Sequence, residues 1–126
     1  MANYRILLVD DEPDIRLFYG EVLRREGYDV ITAENAEEAL YKISTEPIDL
    51  VILDIKMKGK SGLEVLENLE KEKKKKDIPV ILFTAYSSYQ DEYTAWFADA
   101  YVVKSGDPTE LKNEIKRLLK KKEASE

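Results

Sequence analysis

The sequence predicts an α/β fold, a five-stranded parallel sheet covered by helices on both faces, and three observations carry that expectation. The runs Ile6-Leu7-Leu8-Val9, Leu50-Val51-Ile52-Leu53 and Val80-Ile81-Leu82-Phe83 are too uniformly apolar for a sheet with one wet face, so they read as strands buried on both sides. Stretches of helical periodicity alternate with them, the pattern of βαβ units. Polar residues then follow the runs at once: Asp10 and Asp11, Asp54, Thr84, and Lys104 after Tyr101-Val102-Val103. In an open parallel sheet the carboxyl ends of the strands share one edge, and ligands bind in the crevice there.

Each element has its own signal. After the first strand, Pro13 suits a first helical position, and Ile15, Phe18, Tyr19, Val22 and Leu23 repeat on one face as far as Gly27. Tyr28 to Thr32 reads as the second strand. Asn35 offers an N-cap to a helix burying Ala36, Ala39, Leu40 and Ile43, closed by Pro47. The third strand ends at Asp54, and Ser61 with Glu64 has capping-box spacing for a helix buried through Val65, Leu66 and Leu69. The fourth strand leads into residues 87–99, where Tyr89, Tyr93, Trp96 and Phe97 line a short helix that lacks strong caps. Ala100 to Val103 is the fifth strand. Asp107-Pro108-Thr109-Glu110 then combines a cap, a first-turn proline and an N3 glutamate ahead of Leu111, Ile115, Leu118 and Leu119. Right-handed crossovers of this length favour the strand order 2-1-3-4-5 in a doubly wound sheet.

Composition narrows the chemistry. A chain of 126 residues, 44% hydrophobic and without a Gly/Ser/Pro-rich linker, is expected to form one domain over residues 1–122 with a short polar tail at 123–126. Cysteine and histidine are absent, which excludes disulfides, thiol nucleophiles, histidine acid–base chemistry and the usual zinc sites. Carboxylates are the metal ligands that remain. With no apolar signal stretch and no run long enough to span a bilayer, the expected setting is the cytoplasm, away from membranes. A net charge of −6 argues against direct nucleic-acid binding, and the lysine clusters at 71–76 and 120–122 read as solvated helix ends.

Taken singly, the residues at the strand ends are ambiguous. Asp10 and Asp11 could cap the following helix, Asp54 could be an acidic loop residue or a pure metal ligand, Thr84 a plain strand residue and Lys104 a surface lysine. Brought to one edge, three carboxylates repel one another and invite a hard divalent cation, most naturally Mg²⁺. An ammonium and a hydroxyl beside them supply what a transferred phosphoryl oxygen needs.

The acidic pair after strand one, the aspartate after strand three followed by Met57 and Gly62, Thr84-Ala85 after strand four and Lys104 after strand five together resemble the receiver domain of two-component response regulators, of the chemotaxis-regulator type. The resemblance covers essentially the whole chain. It implies a (βα)₅ flavodoxin-like fold in which Asp54 is the phosphoacceptor and Asp11 a direct ligand of Mg²⁺, with Mn²⁺ as an alternative ion. Asp54 would share the ion, Asp10 would act through bound water or by orienting the site, and the main-chain carbonyl of Lys56 would complete the protein ligands. Thr84 and Lys104 would contact the phosphoryl group, and Ala85 would keep access open. Thr84 with Tyr101 would form the switch, and Lys56 and Tyr86 would tune hydrolysis. A histidine kinase or phosphotransfer protein would be the donor. Output would pass through the fourth helix, the fifth strand and the C-terminal helix to a downstream protein or output domain, with a phosphorylation-dependent dimer as one form of it.

Three departures from the family pattern bear on the site. Ser105 follows Lys104 where a proline, often after a cis bond, is usual, and a cis bond before serine costs about 2.5–4 kcal/mol. A trans bond there could aim the lysine differently. Lys58 replaces another proline and, with Gly59, gives the phosphoacceptor loop more freedom. The interval from Thr84 to Lys104 is about two residues shorter than usual, so the fourth helix is expected to be short or displaced. The chain would catalyse its own phosphorylation and dephosphorylation and turn over no separate metabolite. Two other readings compete. One is a receiver-like interaction module that signals without phosphorylation, which the complete Asp/Thr/Lys set disfavours. The other is an aspartate-nucleophile phosphohydrolase, which usually needs an acid–base carboxylate two residues after the nucleophile, where this chain has Lys56.

Overall fold

A computed structural model of the chain describes residues 3–55, 62–71, 78–85 and 98–124. Over these the elements run β1 (Arg5–Val9), α1 (Pro13–Arg25), β2 (Asp29–Ala33), α2 (Ala36–Thr45), β3 (Leu50–Leu53), α3 (Gly62–Lys71), β4 (Val80–Thr84), β5 (Ala100–Val103) and α4 (Thr109–Ala124). The sheet is parallel throughout in the order β2-β1-β3-β4-β5. Among the described residues there are four helices. The segment in which a short fourth helix was expected from the sequence, with Tyr89, Tyr93, Trp96 and Phe97, lies outside them, as do Ser61 and the loop 56–60.

Strand side chains alternate between two apolar layers. Ile6, Leu8, Ile52, Ile81 and Phe83 pack with Tyr19 and Leu23 of α1 and with Leu111, Ile115, Leu118 and Leu119 of α4. Leu7, Val9, Val51, Leu53 and Leu82 face Ala36, Ala39 and Ile43 of α2 and Val65, Leu66 and Leu69 of α3. The central strands are fully buried, which is why their sequences are continuously apolar.

Helix ends follow the expected chemistry. The Asn35 side chain accepts from the Glu38 N–H, Pro13 opens α1, and the Asp107 Oδ1 accepts from the N–H and hydroxyl of Thr109 at 2.9 and 2.7 Å. One element of the α1 stripe is corrected. Phe18 is 49% exposed, because at about 100° per residue Tyr19 takes the core position and Phe18 falls on its flank, its ring edge-on to Tyr19. Lys122 is likewise more than a solvated helix end, since its Nζ stands 3.4 Å from the Asp49 Oδ1.

The amino-terminal edge of the sheet is closed by charges. Arg5 meets Asp29 at 2.7 Å and Glu46 at 3.1 Å, while Asp49 accepts the Arg5 N–H and receives Lys122 from α4. Among the described residues, no helix is long and apolar enough to cross a membrane.

Candidate functional site

At the opposite edge the backbone ladder carries one residue past each strand. Asp10 N–H donates to Ala33 O at 3.1 Å, Asp54 N–H to Val9 O at 3.0 Å and Lys104 N–H to Thr84 O at 2.7 Å. The three side chains therefore leave from fixed points on the rim. Asp10, Asp54 and Thr84 are the buried polar residues among those described, each at a strand's carboxyl end.

One oxygen from each of Asp10, Asp11 and Asp54 lies within 4.8 Å of the other two. The Lys104 ammonium, its side chain 10% exposed, bridges Asp10 Oδ2 at 2.6 Å and Asp54 Oδ2 at 3.0 Å and stands 5.8 Å from the centre of the Phe83 ring. Burial alone would drive this lysine toward the neutral form. The hydrogen bonds and charges of Asp10 and Asp54 outweigh it and raise its pKa above the ordinary value, so Lys104 is charged at neutral pH. Three carboxylates against one ammonium form a hard, oxygen-rich donor set that suits Mg²⁺.

A glycine makes the site possible. Gly62 N–H donates to Ile55 O at 2.8 Å, and a Cβ on Gly62 would lie 2.0 Å from the Asp54 carbonyl oxygen. The first residue of α3 thus sits directly on the Asp54-Ile55 backbone.

The structure brings Asp10, Asp11, Asp54 and Lys104 together. Thr84 is buried at the end of β4, Ala85 is exposed beyond it, and Tyr101 is half-buried against the α2–α3 layer, opposite Leu82 in register. Lys56, Met57 and Tyr86 lie outside the described residues. The Lys104-Ser105 bond is trans, and the lysine still reaches Asp54. Asp10 does not cap α1, whose N-cap Glu12 has no side-chain cap; instead its Oδ1 accepts the Glu12 N–H at 2.9 Å in a local turn leading into the helix, while its Oδ2 meets Lys104. Glu12 also brings its carboxylate to 3.7 Å from Lys104. The i to i+2 spacing of Asp10 and Glu12 is the signal that could have revealed the turn.

A sequence model described as the response regulator receiver domain matches residues 6–116, from β1 well into α4, and so spans every residue of this site. The chain belongs to that family. Among curated relatives, this receiver domain is 37% identical over 123 residues to the alkaline phosphatase synthesis transcriptional regulatory protein PhoP of Bacillus subtilis, covering 96% of this chain and 50% of PhoP. It is 40% identical over 121 residues to the probable transcriptional regulator ycf27 of Cyanidium caldarium, covering 94% of this chain and 47% of ycf27. The chain therefore spans about half the length of these relatives. Among solved structures, the response regulator TrrA of Thermotoga maritima in complex with Mg²⁺-BeF is 53% identical, with a TM-score of 0.87 over 91% of this receiver domain and 98% of TrrA. TrrA in complex with the histidine kinase ThkA gives 56% and 0.83, over 92% and 98%. A receiver domain from Methanospirillum hungatei JF-1 gives 33% and 0.88, over 99% and 100%.

Proposed function

We propose that this receiver domain of a two-component response regulator accepts a phosphoryl group on Asp54 from a histidine kinase or phosphotransfer protein, in a Mg²⁺-dependent reaction. The convergence of Asp10, Asp11 and Asp54, with Lys104 bridging two of them, carries the reading. The rigid backbone at Asp54 fixes one carboxylate oxygen for in-line attack. That oxygen forms a bond to phosphorus as the bond to the donor's imidazole nitrogen breaks, and the imidazole departs with the electron pair. Lys104, released from Asp54, pairs with the transferred group, and the Thr84 hydroxyl donates to another of its oxygens.

Asp11 would hold the cation directly and share it with Asp54, Asp10 would orient the site, and the Lys56 carbonyl would complete the protein's ligands. The ion, when bound, screens the carboxylates from the incoming phosphoryl oxygens. Mn²⁺ would serve in its place. Ala85, exposed beside Thr84, leaves room for a donor, while Lys56 and Tyr86 would flank the approach of hydrolytic water. Movement of Thr84 toward phosphate would let Tyr101 turn inward, altering the face formed by β5 and α4 for a downstream partner or a second copy. The complex of the similar TrrA with a histidine kinase supports that class of donor.

Intact-mass analysis after incubation with acetyl phosphate tests the reading. One labile phosphoryl adduct that requires Mg²⁺ and disappears in Asp54→Asn is expected. The same adduct in Asp54→Asn would remove the assignment, and no adduct in the wild type would favour a phosphorylation-independent module.

A further inference from the structure

Asp10 is held at every polar atom. Its N–H donates to Ala33 O, its Oδ2 faces Lys104, its Oδ1 accepts from Glu12, and its main-chain oxygen accepts a 2.6 Å hydrogen bond from the Arg16 Nη1. That last oxygen belongs to the peptide group joining Asp10 to Asp11. A peptide group is planar, so holding its oxygen holds the plane through which the chain enters Asp11 and the position of the Asp11 Cα from which its side chain departs. We propose that Arg16 is a positioning residue of the metal site, holding the Asp10-Asp11 peptide so that the Asp11 carboxylate stays within the acidic cluster. The inference rests on the Mg²⁺ reading above and adds to it a residue that ligates nothing.

The surroundings of Arg16 fit a brace. Its side chain is 19% exposed, and its N–H donates to Glu12 O, so the guanidinium is launched from the first turn of α1. A second nitrogen stands 3.9 Å from the Glu34 Oε2, in the loop after β2. The guanidinium thus spans the two loops that follow adjacent strands, and its planar fork can serve both at once. A charge effect would have the opposite consequence. A guanidinium beside three carboxylates opposes a divalent cation, so if charge were its whole contribution, removing it would strengthen Mg²⁺ binding. If it positions Asp11, removing it weakens binding, as loss of groups that orient metal ligands does by ~10- to 100-fold.

Mg²⁺ titration calorimetry on the full chain at matched ionic strength, comparing wild type, Arg16→Met, Arg16→Lys and Asp11→Ala, separates the two. Arg16→Met is expected to weaken binding about 10-fold, with Arg16→Lys in between. In metal-free protein, the Asp11 amide nitrogen resonance should shift and the Glu12 amide should exchange faster in Arg16→Met. Tighter or unchanged Mg²⁺ binding in Arg16→Met, with both amides as in the wild type, would overturn the proposal. If Arg16→Met fails to fold, Arg16→Lys decides, because it keeps the charge: lower affinity supports positioning and equal affinity overturns it. Asp11→Ala binding Mg²⁺ like the wild type would sink the metal reading and the role of Arg16 with it. Loss confined to Asp11→Ala would leave the metal reading standing and remove Arg16 alone.

Discussion

The Lys104 ammonium stands closer to Asp10 than to Asp54, 2.6 Å against 3.0 Å. Asp10 is almost completely buried and cannot be left without a cation, so it claims the lysine along with Asp54. The lysine is thus tethered to Asp10 independently of Asp54.

Lys104→Met should therefore destabilise the fold, because it strips a cation from two buried carboxylates at once; breaking such an arrangement costs about 3–5 kcal/mol. Mg²⁺ should recover more stability in the variant than in the wild type, since the ion then replaces the missing charge. The folded-state pKa of Lys104 is raised, so its contribution is fully present below the ordinary lysine value of 10.5 and is lost as pH climbs through the higher folded value. Urea denaturation from pH 7 to 11, with and without Mg²⁺, should show the wild-type advantage constant at first and shrinking only at the alkaline end.

Asp11→Ala should weaken Mg²⁺ binding by more than ~100-fold and Asp10→Ala by ~10-fold, because both Asp10 oxygens already serve protein donors. Both variants should be phosphorylated more slowly. Calorimetric titration decides the order, and equal, wild-type-like affinities would defeat the proposed centre.

Gly62→Ala places a methyl group where the Asp54 carbonyl oxygen lies, with the Asp54 carbonyl carbon and the Ile55 Cα both 2.9 Å away. All of these are backbone atoms, and they cannot swing aside. A loss of at least ~1–3 kcal/mol is expected, as for overpacked sites, together with slower phosphorylation because Asp54 itself must move. A urea midpoint unchanged from wild type would contradict the contact.

Much of this site was legible before the structure. Asp10, Asp54 and Thr84 declare themselves as the first polar residues met at the carboxyl ends of buried apolar strands, Lys104 follows the partly exposed edge strand β5, and parallel topology puts these ends together. What stayed hidden depends on distances between segments remote in sequence. Nothing local shows that Lys104 serves Asp10 as well as Asp54, or that Gly62 is required by space rather than by backbone conformation. Phe18 and Tyr19 are neighbours of like character, and periodicity assigned both to the core where only Tyr19 fits.

Asp107→Ala should destabilise α4 in a pH-dependent way. Hydrogen bonds from the Thr109 hydroxyl and N–H hold the Asp107 carboxyl below its usual pKa, so its contribution is present above the ordinary value of 3.8 and fades as pH falls through the lower folded value. Thermal unfolding at pH 7 and pH 2.5 should show a clear deficit in the variant at the first and a smaller one at the second. An equal deficit at both would mean that the cap acts without its charge.

The charged rim around Arg5, Asp29, Glu46, Asp49 and Lys122 lies a full strand length from the acidic cluster, roughly 15 Å at 3.3 Å per residue. Substitutions so far apart and without shared partners act additively. Substitutions at the charged rim can therefore shift heat tolerance without disturbing the acidic cluster at the far end of the same strands. A lineage moving to a hotter habitat would need to rewrite only the end of the sheet remote from the three aspartates.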